Sequence, residues 1–391
     1  MPTACFLLDH FWGERAGGAE WQTFVLCRAL REAGWDVHYI AESLTGKSGQ
    51  TTGKEGIIVH WLPPLQWRSR VHPAQRRFRD SVFSILDEIK PDIIYTRGNN
   101  AFTGIGVTHR YRATRMTKVA WGAAADWEIS WDFYRQRLAY YQKSWWRKSL
   151  LWLDACFKDG DHGNEIHEAD TVIVQTSAQQ QLVRERFHKE AVVLSSSHEV
   201  PSNLPAKRTP MTVVFVAHIG RRKRVDLFVD LARRCADMDA RFQVVGDFAD
   251  SVHEKEIRTR AKELSKIEFL GQQPTEETNR LIAESSLLVS TTDAGREGYP
   301  NVFVQAWLRR TPVVSLAFDP DSVISEHEFL GCYARSMDTL INEVRRLLVN
   351  PSRLGVMGRS AREWAIRRHS YEANRGQIVR IFEKLAKCNE L

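Results

Sequence analysis

Two apolar runs separated by a loop and one short helix constrain the fold of this chain more than any other feature. Leu287–Val289 reads as a buried strand and Pro312–Leu316 as the strand that follows it. Between them lie Glu297, Gly298, Tyr299, Pro300, Asn301, Val302 and Phe303, then Gln305, Ala306 and Trp307. Pro300 suits the first turn of a helix because its missing N–H would have had no intrahelical partner there. The N–H groups after it face a ligand, and a helix start aimed out of a parallel sheet is an anion site. Glu297, just before it, can accept hydroxyl hydrogens from a polyol, while Gln305 sits about two turns inside the helix. Acceptors flanking a phosphate-friendly helix start suit a sugar joined to a nucleotide diphosphate.

At 391 residues the chain exceeds what one core usually encloses, so two domains are expected. Hydrophobic residues at 43% and charged residues at 26% are those of a globular protein. The net charge of +7 favours anionic partners, a class that includes nucleotides, lipid headgroups and nucleic acids. Cys5, Cys27, Cys156, Cys235, Cys332 and Cys388 contain no Cys-x-x-Cys pair, which argues against a disulfide framework or zinc site and fits a reducing cytoplasm. The opening apolar run Ala4–Leu8 is too short for a signal peptide and lacks a basic lead-in. No run approaches the ~20 apolar residues that span a bilayer. A cytoplasmic protein, soluble or bound at the inner face of the membrane, is therefore expected.

Along the chain, strands are predicted at residues 4–8, 37–40, 57–62, 93–96 and 119–121, with helical or polar segments between them. This alternation implies a doubly wound parallel sheet with ligands at the carboxyl ends of its strands. Gly17-Gly18-Ala19-Glu20 leads from the first strand into a helix over 21–34, a cradle for phosphate or carbohydrate. A dinucleotide fold would begin in the same way, with Glu42 as its ribose acid, although the loop is not Gly-x-Gly-x-x-Gly. Asp126 follows the strand at 119–121, and its other reading is a helix cap.

Residues 127–152 mix Trp131, Tyr134, Tyr140, Tyr141, Trp145, Trp146 and Trp152 with Arg135, Arg137, Lys143, Arg147 and Lys148. Such a segment suits an anionic membrane interface, and equally an amphipathic helix lining a cleft. Arg68, Arg70, Arg76, Arg77 and Arg79 form a second basic cluster, of the kind that is usually a solvated face. Pro201 to Pro210 is the best linker in the chain.

A second domain starts after the linker with a strand at 211–216. It runs into His218, Gly220 and four consecutive bases, Arg221, Arg222, Lys223 and Arg224, which would neutralise a diphosphate leaving group. Strands ending at Gly246 and Gly271 repeat the strand-then-glycine unit, and the last helix is expected over 371–386. Asp319 and Asp321, like Asp159 and Asp161, resemble the metal pair of a different architecture and are set aside on that ground.

Glu297-Gly298-Tyr299-Pro300-Asn301, Gln305-Ala306-Trp307 and Thr311-Pro312-Val313-Val314 together resemble the donor-site signature of GT-B retaining glycosyltransferases, family 4. The resemblance covers nearly the whole chain, with its stronger motifs between Val213 and Ser315. It implies two Rossmann-like doubly wound parallel-sheet domains facing across a cleft. Residues 1–200 would bind the acceptor, 201–210 would be the linker and 211–370 would bind the donor, with the final helix 371–391 packing back on the first domain.

By that resemblance Glu297 touches the transferred sugar, Lys223 matches the family's Lys at the diphosphate, and Asp126 stands near the position of a sugar-contacting His. Gly17, Gly18, His218, Arg222, Gly246, Gly298, Asn301, Val302 and Gln305 are carried over as donor-binding. Two departures are visible: His218 stands where the family has Arg, and Gln305 where it has a second Glu.

The implied activity is metal-independent, retaining transfer of a sugar from a UDP- or GDP-linked donor to a glycan or lipid-linked acceptor in surface polysaccharide biosynthesis, with no cofactor. The alternatives are a non-catalytic sugar-nucleotide or glycan-binding protein and a sugar-nucleotide epimerase on the same fold. Nucleic-acid binding is disfavoured because the bases cluster at ligand-type loops.

Overall fold

A computed structural model describes residues 1–15, 17–66, 69, 72–113, 116–138, 145–293 and 297–387, with the helical backbone alone for 145–150. Tyr140, Tyr141, Lys143, Arg68 and Arg70, and the side chains of Trp145, Trp146, Arg147 and Lys148, lie outside the described residues. The chain divides into two compact units, residues 1–197 with 374–391 and residues 198–373.

The first unit opens with β1 (Thr3–Leu7), α1 (Gly18–Glu32), β2 (Asp36–Glu42), β3 (Gly49–Thr52), β4 (Ile58–Leu62), α2 (Pro73–Ile89) and β5 (Ile93–Arg97). It continues through α3 (Ile105–Arg112), β6 (Lys118–Gly122), α4 (Phe133–Leu138), α5 (Trp145–Glu168), β7 (Thr171–Val174), α6 (Ser177–Phe187) and β8 (Ala191–Val193). Among the described residues its sheet has eight strands in the order β3-β4-β2-β1-β5-β6-β7-β8. All neighbouring pairs are parallel except β3 with β4.

The central strand β1 is apolar from Ala4 to Leu7, as a strand covered on both faces must be. Ala4, Cys5, Phe6 and Leu7 of β1 are all fully buried. The antiparallel β3 departs from the expected all-parallel order. Its sequence Gly-Gln-Thr-Thr is exposed throughout, so it is held by backbone pairing to β4 and not by a core. The segment 127–152 is likewise not one amphipathic helix: a short turn over Asp126–Glu128, α4 and the start of α5 share it.

The second unit comprises β9 (Met211–Val216), α7 (Val225–Arg234), β10 (Ala240–Val245), α8 (Ser251–Ala261), β11 (Ile267–Gly271), α9 (Thr275–Glu284) and β12 (Leu287–Ser290). Then come α10 (Asn301–Leu308), β13 (Val313–Ser315), α11 (Val323–Glu326), β14 (Gly331–Tyr333), α12 (Met337–Leu348) and α13 (Pro351–His369). Its six described strands are all parallel, in the order β11-β10-β9-β12-β13-β14. Helix α14 (Tyr371–Lys387) opens in this unit and belongs to the first from Asn374 onward. There Phe382 packs on Phe6 and Tyr95, with ring centroids 5.9 and 6.2 Å away.

The second unit begins at His198, ahead of the predicted linker, because the His198 backbone is tied to its far end. His198 N donates to His369 O at 2.8 Å, and Tyr371 N donates to His198 O at 2.9 Å. Residues 201–210 therefore lie within the second unit, where Arg208 N donates to Glu284 O at 2.9 Å. Helix α10 is pinned by its apolar face. Phe303, Val304, Ala306, Trp307 and Leu308 are buried, and the Trp307 indole donates to Leu330 O at 2.9 Å. Among the described residues the cysteines are free, and no helix is long and apolar enough to cross a membrane.

Candidate functional site

The predicted strand, loop and helix at the centre of the second unit form as β12, a loop and α10, with one difference in register. Pro300 is the capping residue and Asn301 the first helical one. Pro300 O accepts from Phe303 N at 3.0 Å, which starts the helix. The His198 ring stands 3.1 Å from Asn301 Oδ1 and orients that side chain at the helix start. Burial first, and the neighbouring His369 second, drive the His198 imidazole down to about 3, so it is neutral near pH 7.

The four consecutive bases do not act together. Arg221 reaches out to Asp250 and Glu256, at 3.4 and 3.2 Å, with its own side chain 62% exposed. Arg224 has a left-handed backbone, φ +50°, and is paired through two nitrogens with Asp226. Lys223 and Arg222 turn instead toward the β12–α10 loop. Lys223 Nζ donates to Glu297 Oε1 at 2.5 Å, and Arg222 Nη1 lies 3.8 Å from the same oxygen. The Lys223 and Glu297 side chains are 20% and 15% exposed, so their charges meet largely out of water, where each is felt more strongly than on the surface.

Backbone bonds set this convergence. Arg221–Lys223 form one 3₁₀ turn after Gly220. Asp293 N donates to Arg222 O at 3.0 Å, and the Thr291 hydroxyl lies 2.9 and 2.8 Å from the carbonyls of Lys223 and Arg224. A turn after β9 is thereby sewn to the loop after β12, its neighbour in the sheet. A small hollow of about 20 Å³ lies at these carboxyl ends, lined by Ala217, Lys223, Ser290, Glu297, Pro300 and Val302 among others.

The remaining donor-binding candidates of this unit sit around the same strand ends with different local roles. His218 Nδ1 is 2.9 Å from Asp247 Oδ1, both side chains being solvent-facing. Gly246 has φ +133°, and a Cβ there would stand 1.7 Å from Ala217 O. A glycine is required at Gly246 because the turns after β9 and β10 touch, a constraint imposed by the fold itself. Gly298 is buried, and Gln305 is half-buried on α10. The Asp319 carboxylate accepts from the Ile324 and Ser325 amides at 2.9 and 3.0 Å, which caps α11. Among the described residues no group of His, Cys, Asp and Glu is arranged to hold a metal ion.

Gly17, Gly18 and Asp126 belong to the first unit. Gly17 caps α1 with extended backbone, and its O accepts from Trp21 N at 3.0 Å. Asp126 opens the turn after β6 and accepts from Gln179 Nε2 at 2.9 Å. The turn itself is held by Glu128, whose carboxylate accepts from Ala124 N and Ala125 N, both at 3.1 Å. Burial raises the Glu128 carboxyl, and those amides oppose the rise.

Sequence reasoning missed a larger hollow in this unit, of about 460 Å³, lined by Asp9, Asn99, Asn100, Tyr134, Asp154 and Lys158 among others. Its polar groups are fixed: Asp9 Oδ1 accepts from Ala101 N at 2.7 Å, Tyr134 Oη donates to Asn99, and Lys158 Nζ is 2.7 Å from Asp154. Asp9 follows β1, and Asn99 and Asn100 follow β5, the neighbouring strand. Polar residues just past two apolar strands are the signal that could have found this hollow.

The sequence model of the family described as Glycosyl transferases group 1 matches residues 210–350, and that of Glycosyltransferase Family 4 matches residues 16–195. Among solved structures the chain is similar to sucrose-phosphate synthase of Thermosynechococcus elongatus. The identity is 16% and the TM-score 0.76, over 99% of this chain and 100% of that one. HepE of Anabaena in complex with UDP-glucose is 16% identical, with TM-score 0.68 over 98% of this chain and 99% of that one. WaaG, a glycosyltransferase involved in lipopolysaccharide biosynthesis, is 14% identical, with TM-score 0.67 over 96% of this chain and 98% of that one. At these identities the likeness is one of fold.

Proposed function

Because this chain belongs to the GT-B glycosyltransferases of group 1 and family 4, we propose that it transfers a hexose from a UDP- or GDP-linked donor to a hydroxyl of a glycan or lipid-linked acceptor, retaining anomeric configuration and using no metal. The observation that carries this reading is the Lys223–Glu297 pair at the carboxyl ends of β9 and β12. Departure of a nucleoside diphosphate builds negative charge, and Lys223, Arg222 and the first N–H groups of α10 are positioned to receive it. Glu297, beside them, accepts hydrogens from the sugar's hydroxyls and fixes the anomeric carbon over the diphosphate. The acceptor oxygen bonds to that carbon from the leaving-group side as the carbon–oxygen bond to phosphate breaks, and its proton passes to the departing phosphate oxygen.

The hollow lined by Asp9, Asn99 and Tyr134 takes the acceptor in this reading, since its carboxylates and amides match hydroxyl groups. Attachment at an anionic membrane surface is supported by Trp152, Leu153 and Phe157 of α5, which are 52%, 58% and 59% exposed. The UDP-glucose in HepE and the lipopolysaccharide role of WaaG support a nucleotide-linked hexose and a place in surface polysaccharide synthesis. A panel of labelled UDP- and GDP-sugars with glycan acceptors tests the proposal. Labelled product with the donor's anomeric configuration is expected. Hydrolysis at background rate alone, nucleotide binding without turnover, or an epimerised donor formed without acceptor would each overturn it.

A further inference from the structure

The second unit carries another hollow, at the opposite end of its sheet. Met211, Ser286 and Arg310, which line it, stand at the amino-terminal ends of the neighbouring strands β9, β12 and β13. Lys223 and Glu297 lie beyond the carboxyl ends of the same strands. The volume is about 320 Å³, enough for a molecule of sugar-phosphate size.

Its walls are one-sided in charge. Lys207, Arg208, Arg309, Arg310 and Arg359 line it, and among the described lining residues there is no Asp or Glu. Arg208 is neutralised by Glu284, at 2.5 Å. Lys207 Nζ is turned inward, donating to Ser285 O at 2.7 Å, to the Thr311 hydroxyl at 2.8 Å and to Arg309 O at 3.2 Å, which takes up its donors. Arg310 and Arg359 form no ion pair among the described residues. The cations press on one another. The Lys207 ammonium is drawn down to about 7 by burial first and by Arg310 second, and Arg309 to about 10 by burial and Arg362.

The backbone also keeps Arg310 in an unfavourable conformation. Its φ is +57°, a left-handed geometry that a long side chain rarely adopts. Helix α13 approaches so closely that a Cβ on Gly358 would stand 2.4 Å from Arg310 O. Arg310 and Arg359 both line the hollow, so two planar guanidinium forks stand on it. Cations crowded together without a carboxylate cost stability, and an anion supplied from outside relieves that cost.

We propose that this hollow binds a phosphate monoester, its oxygens held by Arg310 and Arg359 and its body resting on the apolar wall of Leu204, Pro205 and Leu354. Such a group comes either from a free phosphorylated metabolite or from a lipid headgroup. The site is independent of the donor reading, because it shares no residue with the Lys223–Glu297 hollow.

The test uses the full chain with UDP or GDP in excess to occupy the donor hollow. Glucose 6-phosphate is titrated in one arm, and vesicles of phosphatidylcholine with phosphatidic acid are co-sedimented in the other. The variants are Arg310→Gly, which keeps the left-handed backbone, and Arg359→Glu on the exposed face of α13. Saturable binding in either arm, weakened about tenfold or more in both variants, is expected and tells which source supplies the phosphate. Absence of binding in both arms, or equal binding by wild type and variants, overturns the proposal.

Discussion

Lys223 Nζ and Glu297 Oε1 meet at 2.5 Å across 74 residues of sequence. The pair joins the loops that follow two neighbouring parallel strands, where a doubly wound sheet gathers its ligands. A sugar-nucleotide would separate the two roles, the ammonium going to the diphosphate and the carboxylate to the sugar.

Glu297→Gln should therefore lower turnover by roughly 10²-fold, the scale of one preorganised charged partner, while nucleotide binding is kept or tightened. The amide no longer presents an anion beside the diphosphate. Steady-state kinetics with calorimetry check this, and a parallel loss of nucleotide affinity would assign Glu297 to the nucleotide.

Gln305, half-buried on α10, offers one accepting oxygen where a carboxylate offers two. If it meets the ribose, Gln305→Glu should bind UDP or GDP more tightly with a modest change in rate. Weaker binding by calorimetry would contradict the ribose assignment.

Activity should survive EDTA. Lys223 and Arg222 supply positive charge at the position proposed for the diphosphate, and the Asp319 carboxylate is taken up by the α11 amides. Loss of transfer with EDTA and rescue by Mn²⁺ would return Asp319 and Asp321 to consideration.

A fourth expectation concerns stability and pH. Burial pushes the Glu165 carboxyl up to about 8, with Thr96 donating to it at 2.9 Å. The folded chain then holds a proton that the unfolded chain has released from about pH 4.5 upward, so this group's contribution to stability falls as pH rises toward about 8. The slope is at most about 1.4 kcal/mol per pH unit. Glu165→Gln should gain melting temperature over wild type progressively between about pH 5 and 8. A difference that does not change with pH would contradict a protonated Glu165.

What could be read from the sequence follows the physics of each element. Strand β9 was predicted at its observed bounds because a buried parallel strand is a continuous apolar run closed by turn residues. Strand β3 was not, since exposed Gly-Gln-Thr-Thr carries no core pattern and exists only through its partner. Among the four bases, charge alone could not choose which turns to the β12–α10 loop, and only the family resemblance singled out Lys223. That choice depends on Thr291 and Asp293 holding the turn, and on Asp250, Glu256 and Asp226 drawing Arg221 and Arg224 away. Gly246 was carried over as donor-binding, and the structure adds a demand of the fold that the sequence did not display, the approach of Ala217 O. The hollow at Asp9 and Asn99 depends on strand order, which a single chain does not display.

Calorimetric titration of UDP and GDP into wild type, Lys223→Ala and Arg221→Ala tests the central claim most directly. Lys223 pairs only with Glu297 among the described residues, whereas Arg221 is engaged at the surface by Asp250 and Glu256. Lys223→Ala should weaken diphosphate binding by about tenfold or more, with Arg221→Ala close to wild type. Equal affinities for wild type and Lys223→Ala, or a larger loss from Arg221→Ala, would contradict a diphosphate held at the Lys223–Glu297 hollow.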